Sequence, residues 1–214
     1  MGKTCTVETI VLATHNVGEA DRFCILFTKE LGKITARARS VRKPTSRMGG
    51  SILPLQHLML QIRESSAGWQ ISDVSKLSQW NERDIHTFLL MQQGTELLIS
   101  ILHEDEPLPE IFQSTLKFFT ACSTQQKHTV LPFTIQLLEF LGLLPGIDDA
   151  YFVRCSEIER SYLRKSVSGH WDELPDMSSE QKTTFSTLLA PLLSQISSTP
   201  LKSGGVICDM KAQV

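Results

Sequence analysis

Between Lys29 and Arg47 the chain gathers seven cationic side chains, Lys29, Lys33, Arg37, Arg39, Arg42, Lys43 and Arg47, against one acid, Glu30. Lysine and arginine at this density neutralise phosphates and release condensed counterions, which drives binding to a polyanion without base preference. The competing reading is a solvated strand face followed by a basic loop, since basic clusters are common on ordinary surfaces. The distribution of charge along the chain favours the polyanion. Residues 1–80 hold eleven Lys/Arg and six Asp/Glu, whereas residues 81–214 hold ten and seventeen, so a net charge of −2 conceals a basic front and an acidic rear. Such asymmetry suggests a polyanion site on one side of the molecule.

Other chemistry finds little support. Gly32-Lys33 is followed by Ile34 and lacks the upstream glycine of a phosphate-binding loop, and neither G-x-S-x-G nor H-E-x-x-H occurs. The cysteines Cys5, Cys24, Cys122, Cys155 and Cys208 are odd in number, scattered and without a CxxC pair, so they read as reduced thiols. Cys122, His128 and Cys155 match no common zinc spacing. The run Glu104-Asp105-Glu106 reads as an exposed helix end, although three adjacent carboxylates bind cations weakly. No cofactor is expected. Among aromatic residues of the front half, Phe23 and Phe27 are in phase with Ile25, which favours core packing over base stacking. Trp69 and Trp80 fit either role.

These residues must be positioned by regular elements. An apolar fraction of 41% is ordinary for a globular protein, and no stretch approaches the roughly 18 to 20 apolar residues of a membrane span. The Met1-Gly2-Lys3 start leads into an alternating segment and does not read as a signal peptide. Period-two patterns predict strands over Cys5–His15, Asp21–Thr28, Lys33–Val41, Leu55–Ile62 and Trp69–Leu77. Five short strands in about 75 residues fit a small barrel of the OB kind. On the third strand Arg37 and Arg39 share a face, and Arg42, Lys43 and Arg47 continue into a loop that Pro44, Gly49 and Gly50 make mobile. Beyond Trp80 the period becomes helical, with helices predicted over Glu82–His103, Glu110–Cys122 and Leu131–Leu144. Pro145-Gly146 is the predicted stop of the third. A last helix opens at Ser178, which forms a capping box with Gln181, and Pro191 is placed to kink or split it. Residues 147–176 show no readable period.

Several segments resemble the RecO family of bacterial DNA-repair proteins. They are Gly18-Glu19-Ala20-Asp21-Arg22, the run from Leu26 to Lys33, Ala38-Arg39-Ser40-Val41-Arg42-Lys43, Ser46 to Leu55 with Leu53-Pro54-Leu55, and Pro200-Leu201-Lys202-Ser203. The resemblance implies an N-terminal OB fold and a C-terminal helical domain. It also implies a recombination mediator that is not an enzyme. Such a protein binds single- and double-stranded DNA, anneals complementary strands and helps RecA displace single-strand-binding protein. Its implied partners are RecR and the acidic C-terminal tail of that single-strand-binding protein. Many members carry a four-cysteine zinc site, but here Cys155 alone lies near the place of its first cysteine, so the chain resembles the zinc-free branch.

The expected fold class is therefore α+β, with an OB-fold β-barrel over residues 1–80 and an all-α domain over residues 81–214. The expected DNA-binding residues are Lys29, Lys33, Arg37, Arg39, Arg42, Lys43 and Arg47, with no catalytic residue and no metal ligand. The expected location is the bacterial cytoplasm at the nucleoid, with no membrane association. The alternative is an adaptor whose basic face binds acidic peptides. Lys117, Lys127, Arg154 and Arg164 are the few cations of the rear half available to an acidic tail. Elemental analysis of freshly purified protein should find no stoichiometric zinc; zinc that disappears on Cys155→Ser substitution would contradict this reading of the cysteines.

Overall fold

The computed structural model describes residues 2–78, 80, 84–126 and 129–196. Lys127, His128, the run from Pro200 to Ser203 and Cys208, all considered above, lie outside the described residues. Among the described residues five strands form the front of the chain: β1 (Thr4–Val17), β2 (Asp21–Thr28), β3 (Gly32–Ala38), β4 (His57–Ser65) and β5 (Gly68–Ser78). They close into a barrel in the order β1-β2-β3-β5-β4. Neighbours are antiparallel except β3 and β5, which pair in parallel through Ala36 with Trp69, Arg37 with Gln70 and Ala38 with Ile71. This is the OB-type barrel.

The interior is lined by Val7, Val11, Cys24, Leu26, Ile34, Ala36, Leu58, Leu60, Ile62 and Ile71, all buried. The phase of β2 differs from the sequence expectation. Cys24 and Leu26 point inward, while Phe23, Ile25 and Phe27 stand on the outer face. This strand is apolar at both phases, so its period alone does not choose the buried one. Phe27 is still fully buried, because the Phe112 ring meets it edge-on at 5.4 Å. Phe112 also lies 6.4 Å from His57, against which Trp80 stacks at 5.7 Å. His57 ties three strands together, with Nε2 3.0 Å from Glu8 Oε1 and Nδ1 2.7 Å from Ser78 Oγ.

The compact unit built on the barrel therefore runs to Trp80 and takes in Leu102–Phe112 as well, while the second unit is made of residues 81–101 and those from Gln113 onward. The chain crosses between the units more than once, because Leu102–Phe112 carries the apolar cover that the outer face of β2 requires.

The second unit is helical, as its period predicts. It contains α1 (Ile85–Ile101), α2 (Pro109–Ser123) from Gln113 on, α3 (Val130–Phe140), α4 (Glu157–Val167) and α5 (Ser179–Ile196). Phe118 stacks on Phe133 at 4.3 Å, and Tyr162 packs at 6.1 Å from Phe185. α3 stops short of Leu144. Gly142 adopts φ 68°, and the amides of Gly142 and Leu143 donate to Glu139 and Leu138 carbonyls at 2.9 Å, a Schellman ending upstream of Pro145. α4, unread in the sequence, is started by a capping box between Ser156 and Glu159. α5 begins with the reciprocal Ser178–Gln181 bonds and continues through Pro191. Among the described residues no helix is long and apolar enough to cross a membrane.

Phe112→Ala should lower unfolding stability by about 3–5 kcal/mol, the usual cost of emptying a buried phenylalanine site. It should also speed hydrogen exchange at the Asp105 amide, which donates to the Lys33 carbonyl at 2.9 Å. Denaturant unfolding and amide exchange would show both effects.

Candidate nucleic-acid interface

The β2–β3 hairpin positions the basic residues. Its register sets Arg22 opposite Ala38, Phe23 opposite Arg37 and Phe27 opposite Lys33. Ile34, Ala36 and Ala38 are buried inside, so Lys33, Thr35 and Arg37 project outward. Lys33 and Arg37 are four residues apart, roughly 13 Å along a strand. The cluster that is continuous in sequence is thus divided between the two ends of the hairpin.

At the turn end the cations meet acids of their own chain. Lys29 Nζ lies 3.6 Å from Glu8 Oε2, and Glu30 accepts the Glu8 amide at 3.0 Å. A Cβ at Gly32 would stand 1.9 Å from the Glu106 carbonyl oxygen, so the Glu104-Asp105-Glu106 backbone rests directly on the turn. The acidic run is exposed, as expected, while its backbone packs on the hairpin turn. Burial lowers the Lys33 ammonium pKa, with the Glu104 carboxylate acting in the opposite direction.

The other end is differently built. Arg37 places Nε 2.9 Å and Nη2 2.7 Å from Asp21 Oδ2, and the Ser40 amide donates to Asp21 Oδ1 at 2.7 Å. The Ser40 bond lowers the Asp21 pKa most; burial opposes it, and Arg37 and Arg39 add to the lowering. β3 ends at Ala38, and Ser40 turns the chain with φ 54°. The connection to β4, expected as a loose loop, is anchored by buried Val41 and Ile52 and by Ser46 and Ser51 amides donating to Lys43 and Met48 carbonyls at 2.9 and 3.0 Å.

Beneath that connection Arg22, Arg42 and Lys43 line an open cavity with Val41, Pro44, Ser46, Gly49 and Gly50, and no acid among the described residues lines it. Arg22 donates from Nη1 to the Ile52 carbonyl at 2.6 Å, while its buried Nε has no partner among the described residues. Arg42 donates to the Gly18 carbonyl at 2.9 Å. Arg39 lies against Gln70, whose side-chain oxygen accepts at 3.2 and 2.8 Å once the amide is oriented to satisfy both groups. Among the described residues no carboxylate forms an ion pair with Arg39, Arg42, Lys43 or Arg47. The structure thus brings Arg37, Arg39, Arg42, Lys43 and Arg47 to one end and sets Lys29 and Lys33 at the other.

Arg22 escaped the sequence reading, and Phe23 reads there as core. Arg22 alternates with Cys24 and Leu26, and recognising that phase would have placed it at the barrel end. Phe23 is 38% exposed, in contrast to Phe27 on the same face. Burial pushes the Cys24 thiol up to about 11 and the Cys122 thiol up to about 12, and also raises Cys155, so these three offer no reactive thiolate. No three His, Cys, Asp or Glu side chains among the described residues are grouped to hold a metal ion.

A closed β1-β2-β3-β5-β4 barrel with a cationic outer end, followed by helices, places the chain among OB-barrel proteins with an appended helical region. Comparison with known proteins narrows this class. Residues 1–79 match the family described as Recombination protein O N terminal. The DNA repair protein RecO of Myxococcus xanthus is 27% identical over 146 residues, 66% of this chain and 60% of that protein. That of Heliobacterium modesticaldum is 46% identical over 143 residues, 65% of this chain and 52% of the relative. That of Caldanaerobacter subterraneus is 25% identical over 168 residues, 76% of this chain and 67% of the relative. The chain is similar to RecO proteins, most definitely over residues 1–79, and its matched regions span roughly half to two thirds of these relatives' lengths.

The Ser40 amide resonance should report the titration of Asp21. Because the folded pKa is lowered, the Asp21 contacts contribute stability above the unfolded carboxylate pKa of about 3.9 and lose it as pH falls through the folded value. An NMR midpoint below that of an ordinary aspartate is expected, and Asp21→Asn should abolish the transition.

Proposed function

We propose that this chain acts in DNA repair and recombination by holding DNA phosphates on the far end of its barrel. The observation that carries this reading is the set of Arg39, Arg42, Lys43 and Arg47, gathered on an anchored connection without an ion-pairing carboxylate among the described residues. Unpaired cations have the most to gain from phosphate, since no internal ion pair has to be broken first. The cavity of Arg22, Arg42 and Lys43 is a seat for one phosphate of a strand that runs along this end. Arg37, already matched by Asp21, contributes less, and Lys29 and Lys33 less again because Glu8 and Glu104 face them. The names of the relatives, DNA repair protein RecO, agree with this assignment.

The finer roles implied by the family resemblance belong to the same proposal. The protein binds single- and double-stranded DNA, anneals complementary strands, and works with RecR to load RecA on DNA coated by single-strand-binding protein. Annealing follows from phosphate binding, because two strands held on one cationic surface repel each other less. For the acidic tail of the single-strand-binding protein, Lys117 and Arg164 are already engaged, the first by the Gly169 carbonyl and the face of Trp171, the second by Glu157 at 2.8 Å. Arg154, next to exposed Val153, remains the better candidate.

Replacing Arg39, Arg42, Lys43 and Arg47 together by Ala should reduce the slope of log K against log salt by about 3 for single strands, at ~0.7 for each phosphate no longer neutralised. Annealing should fall in parallel. A Lys29→Ala, Lys33→Ala variant should keep nearly the full slope. An unchanged slope in the fourfold variant, folded by circular dichroism, would place the DNA site elsewhere.

A further inference from the structure

We propose that Phe23 is a base-stacking platform that directs this surface toward single-stranded DNA, an inference that rests on the DNA-binding reading above. The outer face of β2 presents two phenylalanines, and the barrel unit treats them in opposite ways. Phe27 is covered by Phe112 and fully buried, whereas Phe23, four residues earlier, is left 38% exposed. Covering both would need only a longer apolar segment, and the chain instead leaves open the ring nearest the unpaired cations.

The register shows what surrounds that ring. Phe23 lies opposite His15 of β1 on one side and Arg37 of β3 on the other, and Arg37 is in turn level with Gln70 of β5. Directly opposed residues are separated by about 5 Å, so His15, Phe23 and Arg37 form one row across three strands. The Arg37 guanidinium is held in a fixed plane by its two contacts to Asp21 Oδ2. An aromatic ring flanked by a fixed guanidinium and an imidazole offers stacking area to an unpaired base, which exposes a π-face that a base in a duplex hides. The phosphates on either side of that base then have Arg39, Arg42 and Lys43 as counter-charges. The matching ligand is a flexible polyanion carrying flat apolar groups, which describes single-stranded DNA. An acidic peptide supplies the charge without the obligatory ring.

The test compares three probes of equal length on the full chain: oligo(dT), an abasic strand with the same phosphates, and a blunt duplex. Phe23→Ala should weaken oligo(dT) binding by roughly 5- to 150-fold, the range for one stacked base, and leave the abasic strand and the duplex within twofold. Phe23→Trp should restore oligo(dT) binding, which separates stacking from a general need for an apolar residue at this position. If Phe23→Ala binds oligo(dT) like the parent protein, or loses all three probes alike, the platform is refuted while the phosphate reading stands. If the parent protein binds none of the probes, both readings fall together.

Discussion

The register of the β2–β3 pairing is the constraint on which the rest of the barrel unit depends. With Cys24 opposite Ala36 and Leu26 opposite Ile34, four side chains enter the interior, and their neighbours are forced outward. A slip of β3 by one residue would bring Lys33 and Arg37 toward the core and turn Ile34 and Ala36 out of it. Burying arginine and lysine without partners is far more costly than any apolar gain from the exchanged residues. The charges on β3 therefore lock the register as firmly as the hydrophobic residues do. They also fix what the surface offers: Phe23 and Arg37 at one end, Phe27 and Lys33 at the other.

That division gives the two ends different fates. The Phe27 end is apolar enough to require a cover, and Leu102–Phe112 supplies one through Phe112. The same segment carries Glu104, Asp105 and Glu106 onto the hairpin turn, so the cover that protects Phe27 also sets Glu104 beside Lys33. The opposite end has no such cover within the described barrel unit. There Asp21 satisfies Arg37 and the Ser40 amide, and in doing so it fixes the start of the connection that carries Arg42, Lys43 and Arg47. One carboxylate thus organises a cationic surface without neutralising most of it.

Much of this was legible in the sequence, though unevenly. The five strands, their approximate limits and the change to helical period after Trp80 follow from spacing alone, because β3 and β4 alternate cleanly. The phase of β2 did not, since Phe23, Ile25 and Phe27 compete with Cys24 and Leu26 at the same period, and the long-range contact with Phe112 gives no local signal. Residues 147–176 hid α4 because its face is short, although the Ser156–Glu159 capping box was present to be read. The basic cluster was visible as composition, but its partition between the hairpin ends depends on Glu8, Asp21 and Glu104, which are remote from it in sequence or separated by fold.

The central claim is that DNA phosphates lie at the Arg37–Lys43 end of the barrel. A titration of the 15N-labelled chain with oligo(dT), followed by amide chemical shifts, tests this most directly. The account predicts perturbations concentrated at residues 22–23, 37–43 and 47–50, with residues 29–33 and the helices little changed. Shifts confined to the helical unit, or centred on Lys29 and Lys33, would contradict it.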